Sequence, residues 1–244
     1  MYRARLVQEN KTIKVGMQPL PFCGASLISP RYLITASHCV KNLSLIGNTE
    51  PKHKWLRPEH YLSYSIVAKL GDHSTLHEEE STEEILVQEV MHFHQGVFML
   101  VNDISIVKLS RPITFNRAIK PVCIPPSTYE LPAGAKCTAV GWGYTDKNKP
   151  SGSPVLRENE LPIMSLEVCR GFSQLVGDGH ICAGGAHNTG GKGDSGGGLY
   201  CRLSPDNDQW YLFGVTSIGL PTPGPTVFAS VPPLSNWIHK NVDE

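Results

Sequence analysis

The chain has 244 residues, 40% of them hydrophobic and 18% charged, which suits one large folded unit or two small ones and excludes a disordered segment. Lys plus Arg equals Asp plus Glu at 22 each and the pI is near 7.1, so no long-range field selects nucleic acid or an anionic membrane. No apolar run is long enough to span a bilayer.

From the start of the chain, two early arginines are followed by no apolar stretch of the kind a signal peptide needs. Short β-rich runs then recur at 32–35, 65–70, 85–91, 104–109, 137–140 and 211–217, broken by Gly, Pro, Asn and Asp. That spacing predicts a β-barrel or sandwich rather than alternating βα units. Proline-rich 117–132 reads as a linker between two β-rich halves, and 220–225 as a loop. Segment 235–242 is the best helix, with Ser235 as its cap and Trp237, Ile238 and Val242 on one face. Seven cysteines lie at spacings unlike paired C-x-x-C zinc ligands, and Asn10 and Asn42 begin glycosylation sequons. The expectation is a secreted, extracellular protein whose natural N-terminal region precedes this chain.

The stretch Gly193-Asp194-Ser195-Gly196-Gly197 carries the most chemistry. A serine hydroxyl needs a neighbouring base to become a nucleophile and N–H donors aimed at the developing oxyanion. Glycines on both sides let the backbone turn tightly, so that the N–H groups of Gly193 and Ser195 can point to one spot. The base is expected at His38, in Thr35-Ala36-Ser37-His38-Cys39, beside a cysteine that would pin its backbone. An acid to orient it is expected at Asp103, in Asn102-Asp103-Ile104-Ser105-Ile106, at the mouth of an alternating strand. Each has an ordinary explanation alone, as a loop serine, a surface histidine or a turn aspartate. Their joint occurrence in this order does not.

The order and the motifs resemble the chymotrypsin-like serine proteases, whose patterns T-A-A-H-C, N-D-I-A-L and G-D-S-G-G-P-L stand here as TASHC, NDISI and GDSGGGL. Cys23-Gly24, Gly141-Trp142-Gly143, Ile181-Cys182-Ala183-Gly184, Gly214-Val215-Thr216-Ser217 and Asn236-Trp237-Ile238 extend the resemblance along most of the chain. It implies an all-β fold of two packed six-stranded antiparallel barrels, over 1–116 and 133–234, with a C-terminal helix over 235–242. It implies His38, Asp103 and Ser195 as a catalytic triad, an oxyanion hole at Gly193 and Ser195, and Asp194 as the residue that takes the ammonium freed on activation. It implies disulfides Cys23–Cys39, Cys137–Cys201 and Cys169–Cys182. Cys123 is left unpaired or bridged to an N-terminal pro-segment or clip module, in keeping with Leu70-Gly71-Asp72-His73 and Ser110-Arg111-Pro112, which look like arthropod clip-domain proteases. The implied partners are protein or peptide substrates and serpin-type inhibitors, with no cofactor, nucleic acid or membrane.

Three departures bear on function. No Ile-Val-Gly-Gly-like activation sequence is visible; Arg5-Leu6-Val7 is the nearest imitation and lies too close to Cys23. The implied substrate pocket, lined by Thr189, Lys192, Ser217, Ile218, Gly219 and Thr226, has Thr189 at its base, so no charge awaits Lys or Arg and a small or medium apolar P1 residue is expected. Gly191 stands where a disulfide cysteine is usual, and 220–225 lacks its partner. A non-catalytic homologue acting as a binding or regulatory protein is therefore the alternative to an endopeptidase. An α/β-hydrolase esterase fails on order, because its histidine comes last. His92 and His94 could share a strand face, and 78–84 is acidic. An exposed strand edge and a solvated loop are favoured over metal sites.

Overall fold

The computed structural model describes residues 3–10, 21–41, 53–77, 79–93, 101–146, 149–185, 194–204, 206–220 and 224–242. Two closed six-stranded antiparallel barrels dominate it. The first is built from β1 (Arg3–Asn10), β2 (Pro21–Ser29), β3 (Tyr32–Thr35), β4 (Tyr64–Leu70), β5 (Glu83–His92) and β6 (Ser105–Leu109), closing in the order β1-β2-β3-β6-β5-β4. Alternating side chains Leu6, Leu27, Leu33, Ile66, Ile85 and Ile106 are fully buried and fill its interior. A short helix α1 (Ser37–Val40) follows β3 directly.

The second barrel uses β7 (Lys136–Gly141), then, after the hairpin of β8 (Tyr144–Asp146) and β9 (Lys149–Gly152), β10 (Arg157–Met164), β11 (His180–Ala183), β12 (Gly198–Arg202), β13 (Trp210–Gly219) and β14 (Thr226–Ser230). Its order is β10-β11-β14-β13-β12-β7. Phe213, Phe228, Leu161 and Leu199 are its buried core. Cys137 of β7 and Cys201 of β12 face each other in register and are bonded; Cys169 of α2 (Leu166–Arg170) is bonded to Cys182 of β11, and Cys23 of β2 to Cys39 of α1. The loops closed by the last two span 13 and 16 residues, each worth about 3 kcal/mol in restricted unfolded-chain freedom.

Residues 117–132 carry no strand and link the barrels, touching the second through Cys123, whose N–H and carbonyl meet Trp210 and Leu212. The C-terminal helix α3 (Ser235–Asn241) begins one step earlier than its expected cap. Ser235 is helical and caps nothing; its hydroxyl donates to the Pro125 carbonyl at 2.6 Å, tying the helix to the linker. The preceding one-turn helix Pro232–Leu234 already starts the chain turning, so no serine cap is needed.

Residues 3–7 of β1 are buried on both faces. Ala4 and Leu6 enter the core of the first barrel, while Arg3 and Arg5 on the opposite face are covered by the second barrel. Both guanidinium groups lie over the Trp142 ring, at 5.5 and 5.3 Å from its centroid. Arg5 also pairs with the buried Asp72. Arg5-Leu6-Val7 is thus interior strand, paired with Gly24, Cys23 and Pro21. Trp142 is a buried platform for both cations in the seam.

Candidate active site

The pairing of β3 with β6 sets Thr35 opposite Ser105. Because the strands are antiparallel, the residues just after β3 and just before β6 emerge at the same end of the barrel. His38 and Asp103 are those residues. The His38 ring Nδ1 lies 2.6 Å from Asp103 Oδ2, and the His38 backbone N–H donates to Oδ1 at 2.9 Å. Asn102 helps to aim the acid: its left-handed φ of 55° and the 2.7 Å contact from the Ile104 N–H to its carbonyl bend the chain sharply before β6. Ser217 of β13 donates its hydroxyl to Asp103 Oδ2 at 2.6 Å. The buried carboxylate is thus surrounded by donors and acts as an acceptor. That holds the imidazole proton on Nδ1 and leaves Nε2 as a base.

A buried polar chain stands behind this pair. Ser37 donates to the Ile104 carbonyl at 2.7 Å and lies 2.8 Å from the Ser105 hydroxyl, which lies 2.7 Å from His92 Nδ1. Since Ser37 spends its proton on Ile104, Ser105 donates to Ser37 and His92 donates to Ser105. His92 Nε2 is buried without a partner. Burial, reinforced by Lys41 and opposed by Asp103, pushes the His92 pKa down to about 4, so the ring is neutral. His92 is therefore interior, not the exposed strand edge expected from sequence; the β5–β6 pairing of His92 with Ser105 carries it inward. His94 lies outside the described residues.

The Ser195 turn is fastened to both barrels. The Ser195 carbonyl accepts from the Gly24 N–H of β2 at 2.7 Å, and the Gly196 N–H donates to Thr216 of β13 at 2.9 Å. Gly24 follows Cys23, whose disulfide partner Cys39 follows His38, so His38 and Ser195 share a short structural path. Gly196 has φ +75°, and a Cβ there would run into Thr35 Oγ1 and the Gly24 carbonyl, which makes glycine a requirement at this turn. Asp194 turns back toward the seam, where its Oδ1 accepts from the Gly143 N–H at 3.0 Å and lies 3.5 Å from Arg3 Nη2.

Of the remaining residues expected from sequence, Thr189, Gly191, Lys192 and Gly193 lie outside the described residues. Ser217, Ile218 and Gly219 lie at the end of β13, and Thr226 is buried opposite Gly219 on β14. Ile218 packs toward Cys169, Val176, Cys182 and Val227. The hydroxyl of Ser217, expected to line the pocket, is turned to Asp103. Asn10 ends β1, and Asn42 is outside the described residues.

In the acidic segment, Glu79 accepts from the backbone N–H groups of His73 and Ser74, Glu83 pairs with Arg111, and Glu84 pairs with Lys69. Among the described residues the one tight group of potential metal-binding side chains is Cys23, His38 and Cys39, and its cysteines are bonded to each other.

The double barrel with its His–Asp pair and glycine-bracketed serine in the seam defines a serine-protease architecture. The chain belongs to the trypsin family, whose profile it matches over residues 7–238. It is similar to phenoloxidase-activating factor 3 of Holotrichia diomphalia, at 31% identity over 235 residues and 90% of this chain. That alignment spans 64% of the relative's own length.

Proposed function

We propose that this chain is the catalytic domain of a secreted serine endopeptidase working in a proteolytic cascade. The observation that carries the reading is His38 held through Nδ1 by the buried Asp103 carboxylate, at the seam where the Ser195 turn is fastened to both barrels. In this reading Ser195 Oγ attacks the scissile carbonyl while His38 Nε2 takes its proton. The N–H groups of Gly193 and Ser195 bind the oxyanion of the tetrahedral intermediate. His38 returns the proton to the leaving amine, and water then opens the acyl-enzyme with His38 again as base. Asp103 stays ionised and stabilises the imidazolium, and Ser217 helps hold Asp103. The chemistry calls for no cofactor.

The family resemblance, which puts Thr189 at the pocket base, Thr226 on its far wall and Ile218 at its entrance, favours a small or medium apolar P1 residue. The relative is named a phenoloxidase-activating factor, which supports a protein as the substrate class. The exposed thiol of Cys123 suits a bridge to an N-terminal module, and serpin-type inhibitors suit the cleft.

Active-site titration with a fluorophosphonate, on secreted full-length protein before and after limited proteolysis, tests the reading. Labelling that vanishes in Ser195→Ala supports it. A folded, cleaved protein that takes no label overturns it in favour of a binding or regulatory homologue.

A further inference from the structure

Arg3 is the unexpected partner of the catalytic turn. Its side chain is only 3% exposed, and that of Asp194 is 19% exposed. A guanidinium always carries its charge, and burying one without a counter-ion is costly. Among the described residues, Asp194 is the carboxylate that Arg3 meets. The space it occupies is kept open by glycines from both barrels: a Cβ at Gly24 or at Gly197 would collide with the Arg3 guanidinium, and one at Gly141 or Gly143 would collide with the Asp194 carboxylate. Trp142 closes the site with its ring face. Glycine, tryptophan and carboxylate thus form a fitted berth for one arginine, and that berth touches the residue immediately before Ser195.

We infer that Arg3 is a counter-ion built into β1 that positions Asp194, and through it the Ser195 turn. The inference rests on the protease reading only for the word catalytic. The positioning of the turn is a separate, physical claim. Arg3 Nη2 and the Gly143 N–H both meet Asp194 Oδ1, and the Gly197 N–H donates to the Asp194 carbonyl at 2.9 Å. The segment before the nucleophile is therefore held between β1 of one barrel and the 141–143 turn of the other. Arg3 touches no reacting atom and is a positioning residue.

The experiment uses secreted full-length protein as wild type and as Arg3→Met, Arg3→Lys and Asp194→Asn, with thermal melting to confirm folding. Two readouts are taken: fluorophosphonate labelling rate at Ser195, and hydrogen exchange of the amides in 141–146 and 194–204. Arg3→Met is expected to speed exchange at Gly143, Gly196 and Gly197 while the strand interiors stay protected, and to slow labelling on the order of tenfold or more. Arg3→Lys keeps a cation and is expected to fall between wild type and Arg3→Met. Adding Arg3→Met to Asp194→Asn is expected to change little further, since the pair is already broken.

If Arg3→Met does not fold, Arg3→Lys and Asp194→Asn decide, because both loosen these amides only if the pair holds the turn. Unchanged exchange and labelling in the folded variants, or faster labelling, overturns the inference and leaves the protease reading intact. Loosened amides in a protein whose wild type takes no label uphold Arg3 as the positioning residue and overturn the protease reading.

Discussion

The hydroxyls of Ser37 and Ser105 lie 2.8 Å apart in the buried wall behind the site, one residue before His38 and two after Asp103. Both stand where the family patterns carry alanine. These two serine departures from the family patterns are therefore one feature, a pair that also gives His92 a partner.

The pair predicts a coupling energy. Ser105→Ala leaves the His92 Nδ1–H group without an acceptor, and Ser37→Ala leaves the Ser105 proton unmatched and the Ile104 carbonyl with the Phe93 N–H as its remaining donor. Each is expected to destabilise by about 1–3 kcal/mol. The double variant is expected to cost clearly less than the sum, since the contact between the two hydroxyls is lost only once. Urea unfolding of the three variants checks this.

His92 predicts an acid limb in stability. Its folded pKa of about 4 lies below the ordinary value of 6.5. The unfolded chain therefore binds the extra proton first as pH falls, and stability is lost between about pH 6.5 and 4. The full loss amounts to about 3 kcal/mol. Above 6.5 the ring is neutral in both states and contributes no slope. His92→Gln, whose side chain does not titrate, is expected to flatten this part of the curve, as read by unfolding midpoints from pH 7 to 4 in steps.

Ser217→Ala removes one donor from the buried Asp103 while both His38 contacts stay. Hydrogen bonds to a buried charge are the stronger kind. The expected result is a fall in the labelling rate of Ser195 by about tenfold, with folding stability lowered by about 1–3 kcal/mol and substrate affinity nearly constant. Asp103→Asn is expected to fall far further, by about 10⁴, because it stabilises the wrong imidazole tautomer.

Cys123 is the free cysteine among the described residues, and six others are locked in three disulfides. Its thiol reaches solvent but is shielded on one side, and that partial burial pushes its pKa up from the ordinary value. Native alkylation of the 244-residue chain is expected to modify one thiol, slowly at neutral pH and faster as pH rises. Peptide mapping places the label.

The barrels were legible because inward-facing residues alternate and turns are punctuated by Gly, Pro and Asn, so strand positions at 32–35 and 211–217 need no tertiary information. The motif residues were legible because the chemistry proposed for them uses few residue types. What was not legible depended on which surface meets which. Arg3 and Arg5 alternate with Ala4 and Leu6 as in any half-exposed strand, and nothing local says that a second barrel covers the polar face. His92 reads as polar for the same reason, although strand pairing turns it inward. Ser235 has the composition of a cap, but the turn before it had already begun the helix.

The alternation of β1 leaves this strand no intermediate state. A slip of one residue would drive two guanidinium groups into an apolar barrel and withdraw the cations from Asp72 and Asp194 together. The four side chains Arg3, Arg5, Asp72 and Asp194 therefore act as a proofreading device for assembly: the chain closes its first barrel and completes the surroundings of Ser195 in the same register, or does neither.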